Sequence, residues 1–224
     1  MKFKLLILSL LTFTTLRAEL FWENIFQNYK AGINEPKVDF VYKFKNIGKT
    51  NITITKVQPS CDCTFAKISK STYKPNESGE ISVSFDMSAR TGLQKKEIRV
   101  ESTDTKNPVI TLVFEVDIPQ PFKIVPRLIF WTLGEKISSK KSVITIDKSY
   151  DVKFELQEAS FHHFFIRLNE IKKDEIYELE VKATDTSHAD SISVEIPILI
   201  DDKPSKPATI YIEIKDPKQS SSSP

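Results

Sequence analysis

The chain has 224 residues, 40% of them hydrophobic and 28% charged, which is enough apolar material for one large or two small cores. Its 32 lysines and arginines nearly offset 30 aspartates and glutamates, and the two signs are interspersed, so there is no basic stripe of the kind that binds nucleic acid. Few glycines and many β-branched and aromatic residues favour strands.

At the N-terminus, Lys2 and Lys4 precede an uncharged, mostly apolar run from Leu5 to Leu16, and Arg17-Ala18 ends it at a cleavage point before Glu19. The pattern predicts a signal peptide over residues 1–18, with an uncleaved anchor as the other reading. The run is shorter than the roughly 20 apolar residues a membrane helix needs. No cysteine follows it, which excludes a lipoprotein attachment. Removing residues 1–18 takes away Lys2, Lys4 and Arg17 and no acid, so the net charge goes from +2 to +2 − 3 = −1. No later stretch is long enough to span a membrane, and the mature chain is expected to be secreted or periplasmic, where disulfides persist.

A first domain is predicted over residues 19–120. Leu20-Phe21-Trp22 is a short apolar start. Val38, Phe40, Tyr42 and Phe44 then alternate along one face of a strand from Lys37 to Lys45. Asn46-Ile47-Gly48-Lys49-Thr50-Asn51 turns the chain, and Ile52, Ile54 and Val57 line the next strand. After Ser60-Cys61-Asp62-Cys63-Thr64, the turn Tyr73-Lys74-Pro75-Asn76-Glu77-Ser78-Gly79 leads into Ile81, Val83 and Phe85. Thr91-Gly92 breaks the chain before Ile98 and Val100, and Asp104 to Pro108 breaks it before Val109 to Val116. Strands at this spacing indicate a β-sandwich.

Pro119, Pro121 and Pro126 give residues 117–127 a stiff linker composition. A second sandwich is predicted over residues 121–216, with alternation at Val143 or Ile144 to Ile146, Val152 to Leu156, Phe164 to Leu168, Tyr177 to Ala183, Ile192 to Ile200 and Ile210 to Ile214. Phe21-Trp22 and Phe130-Trp131 each precede a polar stretch and a strand, hinting at internal duplication. Residues 217–224 have nothing to bury and are expected to be disordered.

Cys61 and Cys63 are the only cysteines. In an extended strand, residues two apart lie on one face with Cα atoms about 6.6 Å apart, at the edge of what a disulfide bridges, and a bend brings them closer. Three readings stay open. The pair is a local disulfide or a set of partly buried thiols fixing the loop, or a strained disulfide that exchanges with partners, or a soft-metal site for copper(I). The last has no histidine or methionine near in sequence, and zinc would need two more ligands. An intermolecular disulfide is compatible with each.

The order of these pieces carries a resemblance. The stretch from Phe40 to Asn46-Ile47-Gly48, the strand from Ile52 to Val57, Ser60-Cys61-Asp62-Cys63-Thr64, Lys74 to Gly79 and Ile81 to Phe85 resemble the bacterial secreted domain of unknown function family 1573. Its pattern is Phe-x-Phe-x-Asn-x-Gly, a strand, Ser-Cys-Gly-Cys-Thr, then Pro-Gly-Glu before an alternating strand. The resemblance covers residues 37–116. It implies an immunoglobulin-like sandwich related to major-sperm-protein and ASH-type modules, which bind proteins or assemble structures and are not enzymes. Asp62 replaces the glycine between the family's cysteines and Asn76 the glycine of its Pro-Gly-Glu, and both residue types tolerate left-handed backbone. An Asp62 carboxylate beside the sulfurs would disfavour thiolates.

Other residues offer less. His162-His163, read as adjacent residues at an exposed strand start, point to opposite faces and do not ligate one ion. His188 is expected in a solvated turn, and Asp201-Asp202-Lys203-Pro204 is a turn. The sequons Asn51-Ile52-Thr53 and Asn76-Glu77-Ser78 matter only in a glycosylating host. The expectation is therefore an all-β protein of two tandem immunoglobulin-like β-sandwiches after a signal peptide, without catalytic residues or cofactor, that binds a protein partner through sheet edges or loops. The alternative is a thiol-disulfide or copper-handling module centred on Cys61 and Cys63.

Overall fold

The computed structural model describes residues 17–88 and 90–217. Of the predicted leader only Arg17 and Ala18 fall inside that span, and of the predicted tail only Pro217; the rest of both lies outside the described residues. Among the described residues all regular structure is β, and no helix is long and apolar enough to cross a membrane. The chain divides into two compact units. One runs up to Ala31 and resumes over Glu35–Ile118, and the other takes Gly32–Asn34 together with the chain from Pro119 onward.

The first unit holds β1 (Leu20–Trp22), β2 (Phe26–Lys30), β3 (Lys37–Asn46), β4 (Ile52–Pro59), β5 (Thr64–Ile68), β6 (Thr72–Tyr73), β7 (Ser78–Asp86), β8 (Gly92–Ser102) and β9 (Val109–Ile118). They form two facing sheets, β1-β3-β7-β5 and β2-β9-β8-β4-β6. β3 shows why: Val38, Phe40, Tyr42, Phe44 and Asn46 are buried while the residues between them are exposed, as a pleated strand with one wet face requires. Phe40 stacks on Phe114 with centroids 4.6 Å apart, and Phe44 meets Tyr73 edge-on at 4.8 Å. Each such fully buried side chain contributes roughly 1.5–3 kcal/mol. Val57 lies three residues after Ile54, out of step with a period of two. A register shift between Ile54 and Lys56 against β8 restores it to the core side, since a bulge flips the phase by one residue.

Two of the quoted motifs meet in this unit. Asn46, fully buried, donates from Nδ2 to the carbonyls of Thr50 at 2.8 Å and Tyr73 at 3.0 Å, and its Oδ1 accepts from the Gly48 amide at 2.9 Å. Its backbone joins the second motif, with Asn46 N donating to Glu77 O at 2.9 Å and Asn76 N to Asn46 O at 2.8 Å. Asn76 has φ +66°, the left-handed conformation expected of the family's glycine. At Gly79 a Cβ would lie 2.3 Å from Tyr73 Cε1 and 2.6 Å from Phe44 Cζ. The motifs around the cysteine pair are thus the hydrogen-bonded hub and close packing of a sandwich.

The second unit holds β10 (Phe122–Val125), β11 (Leu128–Thr132), β12 (Ser139–Ile146), β13 (Val152–Phe154), β14 (Glu158–Phe161), β15 (Phe164–Lys172), β16 (Ile176–Ala183), β17 (Asp190–Ile200) and β18 (Lys203–Lys215). Its sheets are β10-β12-β16-β15-β14 and β11-β18-β17-β13, closing on a core around Trp131 and the isoleucines of β17 and β18. The proline-bearing stretch 117–127 is not a linker throughout. β9 runs to Ile118, and Phe122–Val125 is an edge strand on β12. Proline is tolerated there because Pro121 and Pro126 sit just beyond the strand ends, where no ladder donor is required.

The two units share a plan. In each, the first strand pairs antiparallel in one sheet (β1 with β3, β10 with β12) and the second pairs parallel with the last strand of the other sheet (β2 with β9, β11 with β18). The Phe-Trp dipeptides do not mark this repeat. Phe21-Trp22 lies on β1, whereas Phe130-Trp131 lies on β11, the counterpart of β2.

Candidate functional site

The cysteine pair sits where β4 hands over to β5. Ser60 and Glu97 exchange two bonds, Ser60 N to Glu97 O at 2.9 Å and Glu97 N to Ser60 Oγ at 3.2 Å, which tie the start of the turn to β8. Cys61 and Cys63 then form a disulfide with Cα atoms 5.3 Å apart, shorter than an extended strand allows because Asp62 and Cys63 turn. Thr64 N closes the turn on Cys61 O at 3.2 Å, and Asp86 N donates to Cys63 O at 3.0 Å, docking its far end on β7.

The surroundings combine apolar and charged groups. Thr64, buried, brings its hydroxyl within 3.5 Å of Cys61 Sγ and 3.9 Å of Cys63 Sγ. Directly across from it in register lies Phe85, whose ring is approached by the Arg90 guanidinium at 5.8 Å and the Lys96 ammonium at 6.0 Å. Both cysteines are partly exposed. Beside them an open cleft of about 370 Å³ is lined by Lys37, Asp62, Cys63, Phe65 and Asp86. With the sulfurs bonded to each other, neither is a thiolate able to hold a soft metal. What the pair can do chemically in this form is accept attack by an incoming thiolate, which forms a mixed disulfide with one sulfur and releases the other as a thiolate.

Next to the turn, β5 is the outer strand of its sheet, and its Phe65 is 68% exposed. Sequence reasoning missed this strand. Its signal is Thr64, Ala66 and Ile68 alternating with Phe65 and Lys67, and two small side chains in an apolar set of three make a weak one.

The histidines are placed differently from their sequence reading. His162 and His163 do not start a strand; they form the turn between β14 and β15, with His162 at φ +46°. His188 is an exposed turn residue, yet its ring stacks near that of His163 with centroids 6.5 Å apart. Asp185 Oδ2 lies 3.9 Å from His163 Nδ1 and 3.6 Å from His188 Nδ1, and Asp190 Oδ2 lies 3.8 Å from His162 Nδ1. The amide and hydroxyl of Ser187 hold the Asp185 carboxyl below its usual range. All three histidines therefore gather on two carboxylates, although among the described residues no group of three or more His, Cys, Asp or Glu is disposed to hold a metal ion. Asp201 and Asp202, with φ +51° and +59°, turn the chain from β17 to β18.

Residues 22–118 match the family model DUF1573, described as a protein of unknown function. No curated protein matches the chain. Among solved structures, similarity extends to the VesB protease of Vibrio cholerae (15% identity, TM-score 0.38, 44% of this chain and 31% of that one), so this chain spans less than a third of that protease structure. A PapD-like ASH domain of human CEP192 is similar at 12% identity and TM-score 0.34, over 54% of this chain and 97% of that one. The CupB2 chaperone of Pseudomonas aeruginosa is similar at 11% identity and TM-score 0.34, over 85% and 98%.

Proposed function

We propose, from the match of residues 22–118 to the DUF1573 model, that the chain is an exported, non-enzymatic binding module that takes an extended strand of a protein partner onto a sheet edge. Backbone hydrogen bonds supply the affinity in such pairing, and alternate side chains supply the selectivity. The observation that carries this reading is the outer strand β5, anchored at one end by the disulfide turn and presenting an exposed Phe65 beside a cleft. Export accounts for the oxidised cysteines, because thiols of this kind stay reduced in the cytosol. The test is hydrogen exchange on the chain mixed with a panel of extended peptides from exported proteins. Slowed exchange at sheet-edge amides is expected with some of them. Unchanged exchange with every peptide would overturn the strand-addition reading, and turnover of a substrate would overturn its non-enzymatic part.

A second reading is thiol-disulfide exchange at Cys61 and Cys63, favoured by their oxidised state and partial exposure. Here a partner dithiol is oxidised as this disulfide is reduced, through the mixed disulfide described above. It requires that Cys61→Ser abolish exchange with a model dithiol, and a variant that exchanges as fast as the parent would end it.

A further inference from the structure

The shared plan of the two units has one gap. In the second unit β15 sits beside β16, and β14 covers the outer edge of β15. In the first, β5 occupies the place of β15 beside β7, and among the described residues no strand follows it. The backbone phase is the same in both. Asp86 N donates to Cys63 O in the first unit, and Thr184 N donates to His163 O at 2.7 Å in the second. By alternation, Phe65 and Lys67 spend their backbone groups on β7, while those of Ala66 and Ile68 face outward. Their counterpart Leu168 uses the same outward amide to reach Gln157 O at 2.8 Å.

The side chains follow suit. Thr64-Phe65-Ala66-Lys67-Ile68 corresponds position by position to Phe164-Phe165-Ile166-Arg167-Leu168, with an aromatic residue and a cation on the solvent face in each. In the second unit the added strand β14 is antiparallel and sets Ser160 opposite Phe165 and Glu158 opposite Arg167.

The geometry points to β5 as a self-pairing edge that receives β5 of a second copy of this chain, antiparallel about a two-fold axis through Ala66. This rests on the strand-addition reading above and names its partner. In that register the outward residues pair, Ala66 with Ala66 and Thr64 with Ile68, so each copy contributes the Ala66 and Ile68 donors. Phe65 of each copy then stands opposite Lys67 of the other. These are non-hydrogen-bonded positions, where side chains come closest, and a lysine over an aromatic face is attractive. One segment that complements itself in backbone phase and ring-to-cation contact is what a two-fold interface demands. A five-residue strand buries little area, so the dimer is weak and depends on concentration.

The experiment is sedimentation equilibrium of the full chain from about 10 μM to about 1 mM, the range suited to a small interface. The parent is expected to pass from monomer to dimer. Ala66→Pro removes an outward donor that β7 does not use, so it should weaken dimerisation at least about tenfold while leaving the unfolding midpoint of the monomer nearly unchanged. Phe65→Lys places like charges opposite each other and should abolish the dimer. Phe65→Glu pairs with Lys67 and should keep it. A parent that stays monomeric throughout, or a dimer indifferent to all three changes, overturns the self-pairing. If that monomer still shows slowed exchange at Ala66 and Ile68 with an extended peptide, only the identity of the occupant fails. If it shows none with any peptide, the strand-addition reading falls too.

Discussion

The side-chain amide of Asn46 donates to the carbonyl of Tyr73 at 3.0 Å inside the first sandwich, joining the end of β3 to the turn that launches β7. The same amide serves Thr50, and its oxygen serves Gly48. Asn46→Leu takes the side-chain donor from the Thr50 and Tyr73 carbonyls, at a cost of about 1–3 kcal/mol each, while the Gly48 amide keeps the Glu19 carbonyl at 3.2 Å. Denaturant titration should therefore show a loss on the order of 2–4 kcal/mol. A loss under about 0.5 kcal/mol, the range of an inert surface change, would mean that the hub holds nothing together.

Gly79→Ala sets a methyl 2.3 Å from Tyr73 Cε1 and 2.6 Å from Phe44 Cζ. Neither ring can retreat, because Phe44 and Tyr73 are fully buried against one another. The expected cost is about 1–3 kcal/mol, as for overpacking elsewhere, with perturbed aromatic signals in near-ultraviolet circular dichroism. A variant as stable as the parent would contradict the packing at this position.

The disulfide encloses a single residue. A loop this short removes little freedom from the unfolded chain, and paired replacement of Cys61 and Cys63 by serine should cost only about 1–2 kcal/mol. Alkylation should modify the cysteines only after reduction. Unfolding of the whole first unit on reduction would show the bond to be structurally indispensable, in conflict with this expectation.

Acid should destabilise both units. The Lys70 ammonium and then the Lys74 amide hold Glu77 below the usual glutamate value of 4.5, and Lys140 and then the Thr132 amide do the same for Glu135. A carboxyl whose folded pKa is depressed stabilises the fold above its unfolded pKa and loses that contribution as pH falls through the folded value. Denaturation midpoints should be level down to about pH 5 and decline below about 4.5, with Glu77→Gln making the decline shallower. A curve that stays flat to about pH 3 would refute the assignment.

Strands with strict alternation were legible in the sequence, β3 above all, because Val38 to Phe44 are large and unbroken. Three of the features that escaped have a physical reason. β5 carries Thr64 and Ala66 on its inner face, too small to register as a hydrophobic stripe. β10 was hidden by flanking prolines that break no ladder. The phase of Val57 depended on a bulge that only the register against β8 reveals. At the site, the cysteines were visible as a pair but the placing of their turn was not, since the bonds that anchor its two ends come from Glu97 and Asp86, far away in sequence. The gathering of His162, His163 and His188 depends on β15 pairing with β16, which sets the β14–β15 turn beside the loop that follows β16, and no local pattern encodes it.

In both units the second strand runs parallel to the last, β2 beside β9 and β11 beside β18. Tension that pulls the ends of either sandwich apart would, once the leading strand has given way, slide these neighbours along one another. Their evenly spaced bonds would then share the force and have to break together. The parallel pairing thereby makes each unit resist stretching along the chain more than an antiparallel pair, unzipped one bond at a time, would.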